Sequence, residues 1–342
     1  MGREMPELRQ DPLSGRWVVI ATGRAKRPEA FVPAERPVPL AAHDPDCPFC
    51  PGNEAQTPPE VLAVRDTGTH PDSPGWQLRV VTNKYAAFDA GDGLAPSAAP
   101  LEGRRAAQGR AEVIIETPYH DRSLSKASAA ERLRMLQAYL ARYRQLSGWP
   151  DVGYVMLFRN QGARAGASQI HPHSQIMAMP LVPPAVADEL ARSASYLAEH
   201  GRCLLCDVIA RERADGRRIL YDDGRFLIIA PYASRTPCEL MILPATHQAD
   251  LAQLSDTDAA GLAAALGIAL GMLDRALGDP PYNYYLHGSP PHDPLGEWQA
   301  SYHWHVSILP RLTQQAGFEL GSGVLVNITL PEAAAAFLRA HL

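Results

Sequence analysis

Asn160-Gln161-Gly162-Ala163-Arg164-Ala165-Gly166-Ala167-Ser168-Gln169-Ile170-His171-Pro172-His173-Ser174-Gln175 decides how this 342-residue chain is read. Glycines and small residues lead directly into an alternating His-x-His-x-Gln, and in an extended segment alternate side chains share a face. His171, His173 and Gln175 are therefore expected to point the same way. The apolar Ile176, Met177, Ala178 and Met179 that follow read as buried strand, which places the polar row on a rigid element. Two imidazoles and an amide then face one small volume.

Such a row suits nucleophilic attack on phosphorus. If a metal takes His171, His173 lies about 6.5–7 Å further along the same strand face, because each residue rises about 3.3 Å. A neutral imidazole is a competent nitrogen nucleophile near pH 7, since its unperturbed pKa is about 6.5. Attack on phosphorus gives a covalent phospho-histidine type intermediate and splits one transfer into two steps. Gln175 offers an amide N–H to the non-bridging oxygens. The loop from Gly162 through Gly166 to Ser168 brings backbone N–H groups and the Ser168 hydroxyl to the same phosphates. Asn160 is placed to fix a ribose or phosphate oxygen. A histidine that served only the core would leave Gln175, Ser168 and the glycine loop unexplained.

The order of features around this stretch occurs twice. Cys47-Pro48-Phe49-Cys50, a strand to Glu116, His120, a helix, a strand and His171-x-His173 form the first series. The helix is capped by Ser128 with Glu131 three residues on, a capping-box pattern, and carries Leu133, Leu136, Leu140 and Tyr143 on its apolar face. Cys203-Leu204-Leu205-Cys206, a strand from Glu239 to Leu243, His247, a helix capped by Ser255 and Asp258, a strand from Tyr282 and His303-x-His305 form the second. The economical interpretation is an α+β chain of two related units, each a mostly antiparallel sheet with packed helices, divided as residues 1–185 and 186–342. The halves differ. The first has about 30 extra residues between its Cys pair and its single His, and only the first has Gln after its second His, so the first half is expected to be the catalytic one.

Four of the five cysteines fall in the two Cys-x-x-Cys pairs. Two thiolates at that spacing chelate one tetrahedral ion, and remote histidines complete a Cys2His2 shell. The first site is assigned to Cys47, Cys50, His120 and His171, the second to Cys203, Cys206, His247 and His303. Ligand softness favours Zn²⁺, with Fe²⁺ the alternative at the second site. Four protein ligands leave no open position for water, so these metals are expected to be structural. A thioredoxin-like redox role is weaker, because neither pair opens a helix after a strand. Cys238 reads as a buried thiol.

A net charge of −5 gives no global basic field, which argues against nucleic-acid binding. The amino terminus lacks an apolar core of signal-peptide length, and no uninterrupted apolar run of about 18 residues is seen, so a soluble, cytoplasmic protein without membrane partners is expected. The 31 prolines imply long ordered loops. Residues 89–110 read as a mobile surface loop. The basic loop Gly23 to Pro28 suits phosphate, although short basic clusters usually face water.

The motif Asn-x-Gly-x-x-x-Gly-x-Ser-x-x-His-Pro-His-x-Gln resembles the active-site motif of the galactose-1-phosphate uridylyltransferase family, the transferase branch of the histidine-triad superfamily, which carries Gln where the hydrolases have a third histidine. The resemblance extends through Gly23–Pro28, Cys47–Cys50, Asn83–Tyr85, His120, the repeated second half and the tail from Gly317 to Asn327. It implies two tandem histidine-triad-like units, with His173 as the nucleotidylated nucleophile and Gln175 and Ser168 on the phosphates. It also implies that Arg24, Arg27, Asn83 and Asn160 bind nucleotide or phosphate. The family's homodimer would have the tail, around Phe318, Glu319 and Asn327, contribute to the partner's sugar pocket.

Two features depart from the well-known bacterial type. There the second metal has a glutamate and three histidines, corresponding here to Glu189, His287, His303 and His305, whereas this chain has a second Cys pair. Ser174 also replaces the usual glycine. Both features resemble the plant-type ADP-glucose phosphorylases of the same family. The reading is a ping-pong nucleotidyltransferase taking a nucleotide sugar and a sugar 1-phosphate, in the first instance UDP-glucose and galactose 1-phosphate through uridylyl-His173. The rivals are an ADP-glucose phosphorylase, a dinucleotide hydrolase disfavoured by Gln175, and a zinc-stabilised nucleotide-binding module without catalysis.

Overall fold

The computed structural model describes residues 5–21, 28–33, 40–89, 101–293 and 296–342. Two short antiparallel strands, β1 (Glu7–Gln10) and β2 (Trp17–Ile20), open the chain. The antiparallel run β3 (Glu60–Arg65), β4 (Trp76–Thr82) and β5 (Arg110–Ile115) follows. Helix α1 (Ala129–Ser147) starts as its sequence dictates: the Ser128 hydroxyl accepts from the Glu131 N–H and the Glu131 carboxylate accepts from the Ser128 N–H at 2.7 Å. It leads to β6 (Tyr154–Gln161) and β7 (His173–Met179).

The second half opens on two helices absent from the sequence reading, α2 (Pro184–His200) and α3 (Leu204–Asp215). Cys203 is the residue at which α3 begins, but a helix and not a strand precedes it. The strands β8 (Ile219–Asp222), β9 (Phe226–Ile229) and β10 (Leu240–Pro244) come next, then α4 (Asp256–Leu277), β11 (Tyr282–His287), α5 (Glu297–Ser301) and β12 (His305–Pro310). A tail of α6 (Gly317–Ser322), β13 (Leu325–Asn327) and α7 (Pro331–Arg339) closes the chain, with β13 parallel to β2.

The two halves do not form separate sheets. They share one of ten strands, in the order β3-β4-β5-β7-β6-β11-β12-β10-β9-β8, and every pairing in it is antiparallel. The order is palindromic about the β6–β11 junction, where Phe158 lies opposite Tyr285. An approximate two-fold axis passes there and relates the halves.

Alternation assigns the faces. Val80, Ile114, Ile176 and Leu157 of the first half and Ile228, Ile242 and Val306 of the second pack with α1 and α4 in one continuous core. Leu262, Leu266, Leu270, Leu273 and Leu277 of α4 are all buried there. By length and a mean hydropathy of 1.5 this helix would pass for a membrane span, yet 67% of its apolar window is buried in the protein. The opposite face carries smaller apolar clusters and the polar row. The expected surface loop at 89–110 is described only at its ends, where Asp89 bridges Gln108; residues 90–100 lie outside the described residues, as do Arg24 and Arg27.

Candidate active site

His173 opens β7 with Ile115 opposite, and Gln175 follows on the same face opposite Val113. Beside them Phe49, Val81, Val113 and Ile115 form an apolar cluster, and the Phe49 ring meets the His173 ring edge-on at 5.4 Å. Asn83, at the end of β4, donates its amide to Gln175 Oε1 at 3.4 Å. Asn160, on β6, accepts from the Asn283 amide at 2.7 Å. Gly166 takes a left-handed conformation, φ 87°, that only glycine adopts without strain. Ser168 is exposed in the loop that follows.

The ring of His173 is held in one tautomer. Its Nδ1 lies 2.8 Å from the His171 carbonyl, to which it must donate. The Nε2 lone pair is therefore free for attack. Burial, and after it the nearby Arg159 guanidinium, hold the imidazole below its ordinary pKa, so it is neutral near pH 7.

Behind His173, on the other face, lies a buried charge network that sequence reasoning missed. Glu116 accepts hydrogen bonds from Ser174, from Arg159 and, at 2.8 Å, from the Tyr139 hydroxyl. Arg159 also donates to the His173 carbonyl at 3.3 Å, and Tyr139 and Tyr284 share a hydrogen bond of 2.7 Å. The only sequence signal was a charged Arg159 directly after the apolar run Val155–Phe158 of the same strand. Glu116→Gln strips a fully buried guanidinium of its counter-charge, and we expect a loss of about 3–5 kcal/mol in urea denaturation. Ser174→Gly, which removes one donor to that buried carboxylate, should cost about 1.5–3 kcal/mol in the same measurement.

Cys47, Cys50, His120 and His171 converge, as do Cys203, Cys206, His247 and His303, each set with its ligand atoms within 4.8 Å of one another. Tetrahedral bonds of about 2.3 Å to sulfur and about 2.05 Å to nitrogen require S···N separations near 3.6 Å. Cys50 Sγ lies 3.6 Å from Nδ1 of both His120 and His171, and Cys206 Sγ 3.6 Å from Nδ1 of both His247 and His303. The Nε2 atoms of His171, His247 and His303 each reach a backbone carbonyl, at 2.8, 2.8 and 3.0 Å, which turns every Nδ1 lone pair inward. The donor sets fit a structural metal. Cys238 is a buried free thiol.

A third cluster, Glu189, His287 and His305, assembles beside the second. Three of the four residues that correspond to the bacterial-type metal site thus meet, while His303 turns to the cysteines instead. Glu189 Oε2 sits 3.0 Å from His287 Nδ1 and accepts from the Tyr302 hydroxyl at 2.9 Å.

The tail is partly corrected. Phe318 is 58% exposed and free to meet another surface. Glu319 accepts from the Ala316 N–H at 3.0 Å and caps its own helix. Asn327 is buried, its amide donating to the Ser234 carbonyl and accepting from the Thr329 N–H, both at 2.9 Å. Both ends of that amide are engaged within the chain, so Asn327 anchors the tail and is withdrawn as a sugar-binding residue.

A buried histidine with a free Nε2, amide side chains beside it and two Cys2His2 clusters that fit a metal make up the site. Residues 2–183 match the family described as galactose-1-phosphate uridyl transferase, N-terminal domain, and residues 189–340 its C-terminal domain. The chain belongs to this family. It is 36% identical over 342 residues to the ADP-glucose phosphorylase of Arabidopsis thaliana, covering 98% of this chain and 93% of that one. It is 30% identical over 344 residues to the galactose-1-phosphate uridylyltransferase of Haemophilus influenzae, covering 97% and 93%. Among solved structures, an ADP-glucose phosphorylase from Arabidopsis thaliana with bound ADP-glucose superposes with a TM-score of 0.81 at 33% identity, covering 98% of each chain. A uridylyltransferase structure gives 0.75 at 29%, again covering 98% of each.

Proposed function

We propose that this chain transfers a nucleotidyl group from a nucleotide sugar by ping-pong through nucleotidyl-His173, with ADP-glucose as donor and inorganic phosphate as acceptor. The observation that carries the chemistry is the Nδ1–H bond of His173 to the His171 carbonyl, which leaves Nε2 as a neutral nucleophile. Nε2 attacks the α-phosphorus, a P–N bond forms, and the bond to the β-phosphate oxygen breaks to release glucose 1-phosphate. Phosphate oxygen then displaces Nε2 and gives ADP. The leaving group is already a stable anion, so a neutral Gln175 suffices beside it and no strong acid is needed.

Gln175, Ser168 and the loop around Gly166 hold the phosphates, with Asn160 on a ribose or phosphate oxygen; the family resemblance assigns Arg24 and Arg27 to nucleotide or phosphate as well. Phe49, Val81 and Val113 wall the base, with Asn83 at its polar edge. The Cys2His2 clusters would hold zinc as tetrahedral braces. The division at residue 185 leaves catalysis to the first half. Exposed Phe318 and Leu320 on α6 fit a homodimer in which the tail meets the partner, and a cytoplasmic setting suits reduced thiols.

The adenylyl reading is preferred over UDP-glucose with galactose 1-phosphate because the second Cys pair and Ser174 follow the phosphorylase pattern, as does the higher identity to that relative. Uridylyl transfer is the second reading, favoured by the family's description. Intact mass after separate incubation with each donor decides. A gain of one AMP from ADP-glucose supports the phosphorylase, a gain of one UMP from UDP-glucose overturns it in favour of the uridylyltransferase, and no gain with nucleotide still bound overturns both.

A further inference from the structure

The two-fold relation fixes which residue of one half stands for which in the other. His305 on β12 stands where His173 stands on β7. Met241, opposite Ser307, then takes the place of Val113, opposite Gln175, and Ile229, opposite Met241, that of Val81, opposite Val113. Leu204 and Leu205, between the second pair of cysteines, replace Pro48 and Phe49. Leu204, Leu205, Ile229 and Met241 line a cavity of about 560 Å³, within the range of small-molecule sites.

We propose that the second half carries a nucleoside-binding site in this cavity, the counterpart of the base pocket beside His173. The position of the counterpart rests on the reading of the first-half pocket; the cavity itself does not. The phosphate end has been closed. The Glu189 carboxylate, brought in by α2, stands at His287 and beside His305, the equivalents of Asn160 and His173. An anion there repels a phosphate, so the ligand is a nucleoside and not a nucleotide. Of the three wall cations, Arg202 and Arg218 are paired with Asp207 and Glu212, while Arg211 is exposed at the rim.

The test is photolabelling of metal-replete protein with 8-azidoadenosine, with and without excess adenosine or AMP, followed by peptide mapping. The expected result is label in the peptide after Arg202, displaced by adenosine but not by AMP. Ala210→Trp fills the cavity from an exposed position on α3. It should cut that label about tenfold or more, as a steric block does, and leave nucleotidyl transfer unchanged. Label confined to the first half overturns the proposal, as does second-half label that Ala210→Trp leaves intact or that AMP displaces as well as adenosine. Failure of the base-pocket reading would appear separately, as absence of label around Phe49 and Val113.

Discussion

His173→Ala should abolish the covalent nucleotidyl adduct and lower kcat on the order of 10⁴–10⁶-fold, the scale of losing a nucleophile from a unit that acts together. Alanine leaves no group that can form the P–N bond, and Gln175 cannot replace it, since an amide nitrogen is not nucleophilic. His171 is no substitute, because its Nδ1 faces Cys50 and its Nε2 is held by the Thr117 carbonyl. The fold should survive: deleting the ring releases the Nδ1 bond to the His171 carbonyl but leaves the Arg159 contact to the main chain at residue 173 in place. The checks are intact mass after donor incubation and single-turnover kinetics, with a thermal melt as control. A variant that keeps the adduct would transfer the nucleophile's role to another residue. A variant that loses the adduct but keeps turnover would replace ping-pong with direct displacement.

The second large effect is expected from the metals. Apparent binding free energies of about 10–16 kcal/mol for structural zinc in small domains rival the whole stability of a folded protein, about 5–15 kcal/mol. Cys50→Ala removes the sulfur that lies 3.6 Å from both histidines of the first cluster. We expect one metal equivalent per chain to be lost, by elemental analysis, and stability to fall by more than about 4–5 kcal/mol. Activity should fall with it, by at least about 10²-fold, because His171 joins the cluster to the carbonyl that orients His173. Cys206→Ala should lose its own equivalent and a comparable amount of stability. Its folded fraction should keep near-normal kcat, since the second cluster has no bond to the His173 strand. Equal activity losses in both variants would refute the division of labour between the halves. Full metal content in Cys50→Ala would refute the ligand assignment.

The buried network around Glu116 explains why the residue between His173 and Gln175 can be serine here. Ser174 points away from the face that carries His173 and Gln175 and finds Glu116, which Arg159 and Tyr139 also use. A polar side chain at that register is tolerable only where such a partner exists.

Much of this protein was legible from local chemistry. The Ser128 and Ser255 caps, the leucine spacing of α4 and the alternation through His173 and Gln175 are short-range rules, and each was found where its residues stand. The two Cys2His2 sets were legible because repetition supplied the same ligands in the same order twice. Helix α2 escaped because it lies in the stretch between the repeats, where no counterpart in the first half marks it, and α3 because the first half has no α-helix after Cys50 to match it.

What the sequence by itself determined was therefore the class: two related α+β units, two ligand sets and one histidine row. Only the tertiary structure decided that β6 and β11 join the units into one sheet, since strand pairing between distant segments leaves no local pattern. It alone brought Glu116 to Arg159, 43 positions apart, and withdrew Asn327 into the interior. It alone sent His303 to the cysteines while Glu189 took His287, because which partner a side chain meets depends on distances set by the whole fold.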